Sequence, residues 1–144
     1  MIKDVIITPL KQIKDDRGSV MHMLRNDDNV FKTFGEIYFS TIYCDKIKGW
    51  HLHKESYLNY ACVSGEVKLV LYDDRPSSST KNQYEEIILS PNKYVLVTIP
   101  PNLWNGFKGL GKGQSIIANC LTLPHSEKEM VRKSYDDKYF QYNW

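Results

Sequence analysis

The chain has 144 residues, the size of one compact domain, since two domains would each lack a comfortable core. Its 42% hydrophobic and 25% charged content suits an ordinary globular core and excludes a disordered chain, a collagen repeat and a coiled coil. Lys and Arg number 19 against 17 Asp and Glu, a formal charge of +2 too balanced for a nucleic-acid or anionic-membrane footprint, so neither is expected as a partner.

No apolar run approaches the ~18 residues of a membrane-spanning helix, and Met1-Ile2-Lys3-Asp4 lacks the basic-then-apolar order of a signal peptide, so a cytoplasmic location is expected. Cys44, Cys62 and Cys120 are odd in number, form no C-x-x-C pair and lie in apolar stretches. Buried free thiols are expected.

In chain order the strand signals are Val5 to Thr8, Ser19 to Leu24, Glu36 to Tyr43, Trp50 to His53, Leu58 to Val63, Val67 to Tyr72, Tyr84 to Leu89, Tyr94 to Ile99 and Ser115 to Leu123. They are short and rich in Val, Ile, Tyr and Thr. Turn signals divide them, among them Asp15-Asp16-Arg17-Gly18, Ser64-Gly65, Ser90-Pro91-Asn92 and Gly109 to Gly113. This spacing predicts an all-β sandwich or barrel. The polar run Asp73 to Asn82 reads as a long exposed hairpin connection. Only Ser126 to Arg132 has a helical pattern, with Ser126 as cap and Glu129 at the capping-box position. The tail carries Tyr135, Tyr139, Phe140, Tyr142 and Trp144, too aromatic to stay in water, and is expected to pack on the body or on a second subunit.

The segment Lys48-Gly49-Trp50-His51-Leu52-His53-Lys54 bears most on chemistry. On a strand, residues two apart share a face, so His51 and His53 project together while Trp50 and Leu52 face away. Two imidazoles in a barrel interior are metal ligands, an acid/base pair or ordinary hydrogen-bonded histidines.

These residues resemble the cupin superfamily. His51-x-His53 and Gly65 match its first motif, but Leu58 stands in place of that motif's glutamate, and Asn105 in place of the last ligand histidine of its second motif. Two of four ligands are absent, so no metal and no other cofactor is expected. A metal-free branch fits better. Asp15-Asp16-Arg17-Gly18, Lys48-Gly49-Trp50-His51 and Ile99-Pro100-Pro101-Asn102-Leu103-Trp104-Asn105-Gly106-Phe107 resemble, in order and spacing, blocks of the dTDP-4-dehydrorhamnose 3,5-epimerase family. The histidine segment is also similar to the R-G-x-H-A-H-K of sugar 3,4-ketoisomerases.

The resemblance implies a cupin double-stranded β-helix, or jelly roll, spanning residues 1–144 as one domain and assembling as a homodimer. It implies an isomerase acting on a nucleoside-diphosphate 4-keto-6-deoxyhexose, with dTDP as the family's nucleotide, in surface-polysaccharide precursor synthesis. His51 matches the base, with Lys48, His53 and Tyr38 around the developing oxyanion. Arg17 and Lys48 match diphosphate-binding positions, Asn105 of the third block is a further substrate-binding candidate, and His22, another, stands near where the family has a glutamate that contacts the nucleotide base. Asp136 or Asp137 would supply the carboxylate partner of His51. The family's acid tyrosine belongs on the strand after the third block, and Gln114 to Leu123 contains none. A 3,4-ketoisomerase and a non-catalytic sugar-nucleotide-binding cupin are the alternatives. Neutral imidazole suits the chemistry, because a carbon acid beside a ketone needs a nearby base of matched pKa and a preorganised partner for its enolate.

Overall fold

The computed structural model describes residues 1–144 and holds twelve strands and no helix. They are β1 (Ile6–Pro9), β2 (Gln12–Asp15), β3 (Gly18–Met21), β4 (Glu36–Tyr43), β5 (Ile47–His53), β6 (Leu58–Ser64), β7 (Val67–Tyr72), β8 (Tyr84–Leu89), β9 (Val95–Ile99), β10 (Trp104–Gly109), β11 (Gln114–Leu121) and β12 (Met130–Arg132). One five-stranded sheet runs β1-β9-β6-β11-β4 and the facing one β12-β5-β10-β7-β8, all neighbours antiparallel, with β2-β3 as a separate hairpin. This is the all-β architecture expected from the strand spacing, in the jelly-roll form that the resemblance implied.

The period of two puts Val67, Leu69 and Leu71 of β7 into the layer between the sheets, with Leu58, Ile99, Ile117 and Leu121 from the other side. Each such fully buried side chain stabilises the fold by about 2 kcal/mol. Val70 and Tyr72 are buried too, although they lie on the outer face of β7. The reason is the C-terminal tail. Phe140 stacks on Trp50 with ring centroids 4.4 Å apart and meets Tyr72 and Trp104 edge-on, so the tail forms a second core on the outside of that sheet. Beneath Trp144, Gly49 and Gly106 cross so closely that a Cβ on Gly106 would lie 2.9 Å from both the indole and the Gly49 Cα.

Three strands exceed the sequence expectation. β10 carries two glycines, which weakens its strand signal, but it is paired on both sides by β5 and β7. β2 closes a hairpin with β3. β12 corrects the predicted helical turn: Met130, Val131 and Arg132 pair with His53, Leu52 and His51. The Glu129 side chain there is drawn into the interior instead of back to the cap, and the free edge of β5 supplies hydrogen bonds that three residues of isolated helix cannot match. Cys62 and Cys120 are buried free thiols, whereas Cys44 is only half-buried, because it follows β4 at the sheet edge.

Candidate active site

Lys48 and His51 lie an odd number of residues apart, yet both line one cleft. On β5, Lys48 pairs with Phe107 and His51 with Asn105, so three steps of β5 oppose two of β10. That is a bulge, and it falls at Gly49-Trp50. Beyond it the ordinary alternation brings His53 to the same side and buries Trp50 on the other.

The cleft holds about 390 Å³ and opens between the two sheets. β4 contributes Glu36, Tyr38 and Ser40; β5 contributes Lys48, His51 and His53; Tyr60 and Phe107 form the floor; Arg132 of β12 and His125 flank the mouth. Lys48 spans the sheets, its Nζ donating to Ser40 Oγ at 3.2 Å.

The two histidines differ in environment. His53 is buried, and its Nδ1 is hydrogen-bonded to the Glu129 carboxylate. The other Glu129 oxygen accepts the backbone N–H groups of Glu55 at 3.3 Å and Ser56 at 3.4 Å. Burial pushes the Glu129 carboxyl up, but the hydrogen bond from His53, its charge and these two amides together hold it below its ordinary range. The Nδ1 contact orients the ring and leaves Nε2 for the cleft. His51 has no carboxylate. Burial, then the charges of Arg132, His53 and Lys48, lower its pKa to about 4, so its imidazole is neutral at pH 7.

The two tyrosines of the cleft are each held by a buried asparagine. Asn119 Nδ2 donates to Tyr38 Oη at 3.0 Å, and burial raises the Tyr38 pKa above its usual value. Tyr60 Oη donates to Asn105 Oδ1 at 3.2 Å, and burial raises its pKa further.

His51, His53, Tyr38 and Lys48 are thus brought together, and three sequence candidates are not. Arg17 sits in the β2–β3 turn with its side chain 86% exposed, paired to Asp15 of the same turn. His22 lines a separate recess with Leu10, Lys11 and Arg25. Asn105 is fully buried behind the cleft wall, its Nδ2 donating to the His51 carbonyl at 3.1 Å. Asp136 and Asp137 bond locally, to Ser134 Oγ and the Tyr139 amide; the carboxylate that reaches one of the two β5 histidines is Glu129, and the histidine is His53. Glu129, read from sequence as a capping-box residue, and Arg132 were not expected at the site, because the adjoining strand β12 is three residues long and carries too short a period to register.

A family model described as dTDP-4-dehydrorhamnose 3,5-epimerase matches residues 1–144. The chain belongs to this family. Its relatives include the probable low-salt glycan biosynthesis epimerase Agl13 of Haloferax volcanii, 28% identical across 99% of this chain and 94% of that protein. The spore coat polysaccharide biosynthesis protein SpsL of Bacillus subtilis is also 28% identical, across 100% and 97%. The crystal structure of a dTDP sugar isomerase from Desulfovibrio desulfuricans G20 superposes with a TM-score of 0.96 at 35% identity, covering 99% of this chain and 92% of that one. Membership makes the chain an enzyme of the epimerase and isomerase class. β11, from Gln114 to Leu121, includes no tyrosine.

Proposed function

We propose that this enzyme epimerises a nucleoside-diphosphate 4-keto-6-deoxyhexose, with dTDP as the carrier, in the cytoplasm and without a bound metal, and that the product feeds a surface polysaccharide. The carrying observation is that neutral His51 on β5 faces Tyr38 on β4 across a cleft that also holds Lys48 and Arg132. His51 takes the proton from the carbon beside the ketone. Lys48 and His53 meet the charge that develops on oxygen, where a preorganised donor is worth roughly 100-fold or more in rate. An anionic diphosphate or enolate in the cleft offsets the cations that depress His51 and raises its basicity as the reaction proceeds.

The homodimer belongs to the same proposal. The outward face of edge strand β4 exposes Ile37, Phe39 and Tyr43, and the β2–β3 hairpin exposes Ile13 and Val20, an apolar strip that a second copy would cover. In such a dimer Arg17 reaches the diphosphate of the partner subunit's site. A shift of the carbonyl between C3 and C4 is the second reading, favoured by the carboxylate-held His53 as a second proton carrier at the cleft. Incubation of 4-keto-6-deoxy sugar nucleotides in heavy water, followed by NMR, tests both: deuterium at C3 or C5 with inversion supports epimerisation, a relocated carbonyl supports the second reading, and no exchange with any of them rejects both.

A further inference from the structure

Inversion at carbon needs a proton donor that faces the base, and two tyrosines line the cleft. Tyr38, Asn119 and Tyr60 form one row across β4, β11 and β6: Asn119 is the register partner of both tyrosines. The two hydroxyls are nevertheless not equivalent, and the buried asparagines decide how.

Asn119 is fully buried. Its Oδ1 accepts the backbone N–H of Asn59 at 3.2 Å, and a backbone amide can only donate, so the end of Asn119 turned to Tyr38 must be the NH₂. Asn59 is itself held, its Oδ1 accepting from Thr98 Oγ1 at 2.8 Å and its Nδ2 donating to the Cys120 carbonyl at 3.0 Å. Tyr38 Oη therefore accepts from Asn119, and its own proton is left for the cleft. At Tyr60 the polarity is reversed. Asn105 Nδ2 is committed to the His51 carbonyl, which can only accept, so Asn105 presents Oδ1 and takes the Tyr60 proton.

We propose that Tyr38 is the proton donor of this site and that Asn119 is the positioning residue that keeps its hydroxyl proton free for the substrate. The assignment rests on the reading of the cleft as an isomerase site. His51, on the facing sheet, removes the proton from carbon as the C–H electrons pass into the enolate. Tyr38 then delivers its proton to that carbon from the opposite side, the C–H bond re-forms, and the phenolate recovers a proton from solvent while His51 releases its own. Donation across the cleft is what converts simple exchange into inversion.

The test reads the ratio of inverted product to deuterium exchange in heavy water. Tyr38→Phe is expected to lower that ratio ~100-fold or more while exchange by His51 continues, and Tyr60→Phe, whose proton is already held by Asn105, is expected to lower it far less. Asn119→Asp, which keeps an oxygen for the Asn59 amide but turns a second one on Tyr38, is expected to lower the ratio as Tyr38→Phe does. Independently of any substrate, ¹³Cζ-tyrosine NMR is expected to show Tyr38 ionising at least ~1 pH unit higher in Asn119→Asp than in Asn119→Ala. Inversion retained in Tyr38→Phe, or lost in Tyr60→Phe instead, overturns the donor assignment, and an unmoved Tyr38 resonance overturns the role of Asn119. Absence of exchange in the unmodified protein overturns the isomerase reading itself, a distinct result.

Discussion

His53 and Glu129 stand 76 positions apart in sequence and form a buried imidazole–carboxylate pair. The pair clasps the start of β12 to the end of β5, since Glu129 also accepts two backbone amides just past that strand. Removing one partner strands the other in the interior. Glu129→Ala is expected to cost about 3 kcal/mol or more in urea unfolding.

The same pair sets a pH dependence. Its folded-state carboxyl lies below the ordinary 4.5, so the stabilisation is complete above about pH 4.5 and is lost as pH falls through the folded value. Glu129→Gln is expected to flatten the acid limb of the stability curve below that point. An acid limb identical in both proteins would show that Glu129 is not the group responsible.

His51 titrates in the same direction for a different reason. Its folded pKa is near 4 against an ordinary 6.5, so between these values the unfolded chain binds more protons and stability rises with pH. His51→Asn should remove that slope, and it should reduce hydrogen exchange on a keto sugar by ~100-fold or more.

After burial, Arg132 is the strongest of the charges that depress His51, and it is tethered to Glu127 at 2.9 Å. Arg132→Met, which keeps the apolar stem, is expected to raise the His51 pKa. A two-dimensional NMR titration of the imidazole reads this directly, and an unshifted resonance would place the arginine's influence elsewhere.

Phe140 is buried, stacked on Trp50 and edge-on to Trp104 and Tyr72. Phe140→Ala is expected to cost roughly 3–5 kcal/mol in chemical denaturation. Because Trp50 is the neighbour of His51 on the opposite face of β5, loss of the tail should also loosen the cleft wall, visible as faster amide hydrogen exchange along β5.

The proposed dimer has its own test. Phe39 is 64% exposed on the edge strand, so Phe39→Asp leaves the core untouched while placing charge on the apolar strip. Sedimentation velocity is expected to show a shift from dimer to monomer.

The strands and the histidine face were legible in the chain because both follow local rules: the period of two sorts side chains between faces, and glycine, proline and aspartate mark the turns. Lys48 reaches the same side only through the bulge at Gly49-Trp50, which the register of β5 against β10 shows. Glu129, Arg132 and Asn119 are of another kind. Glu129 and Arg132 sit in a segment whose local pattern favours a helical turn, and only the unsatisfied edge of β5 makes it a strand and carries both side chains to the site. Asn119 reads locally as one polar residue in an apolar strand; its function depends on which of its two ends faces Tyr38, which an amide from a different strand determines. Local sequence governs the conformation and the face of each strand, but hydrogen-bond polarity inside the barrel is decided by partners that meet only when the sheets close.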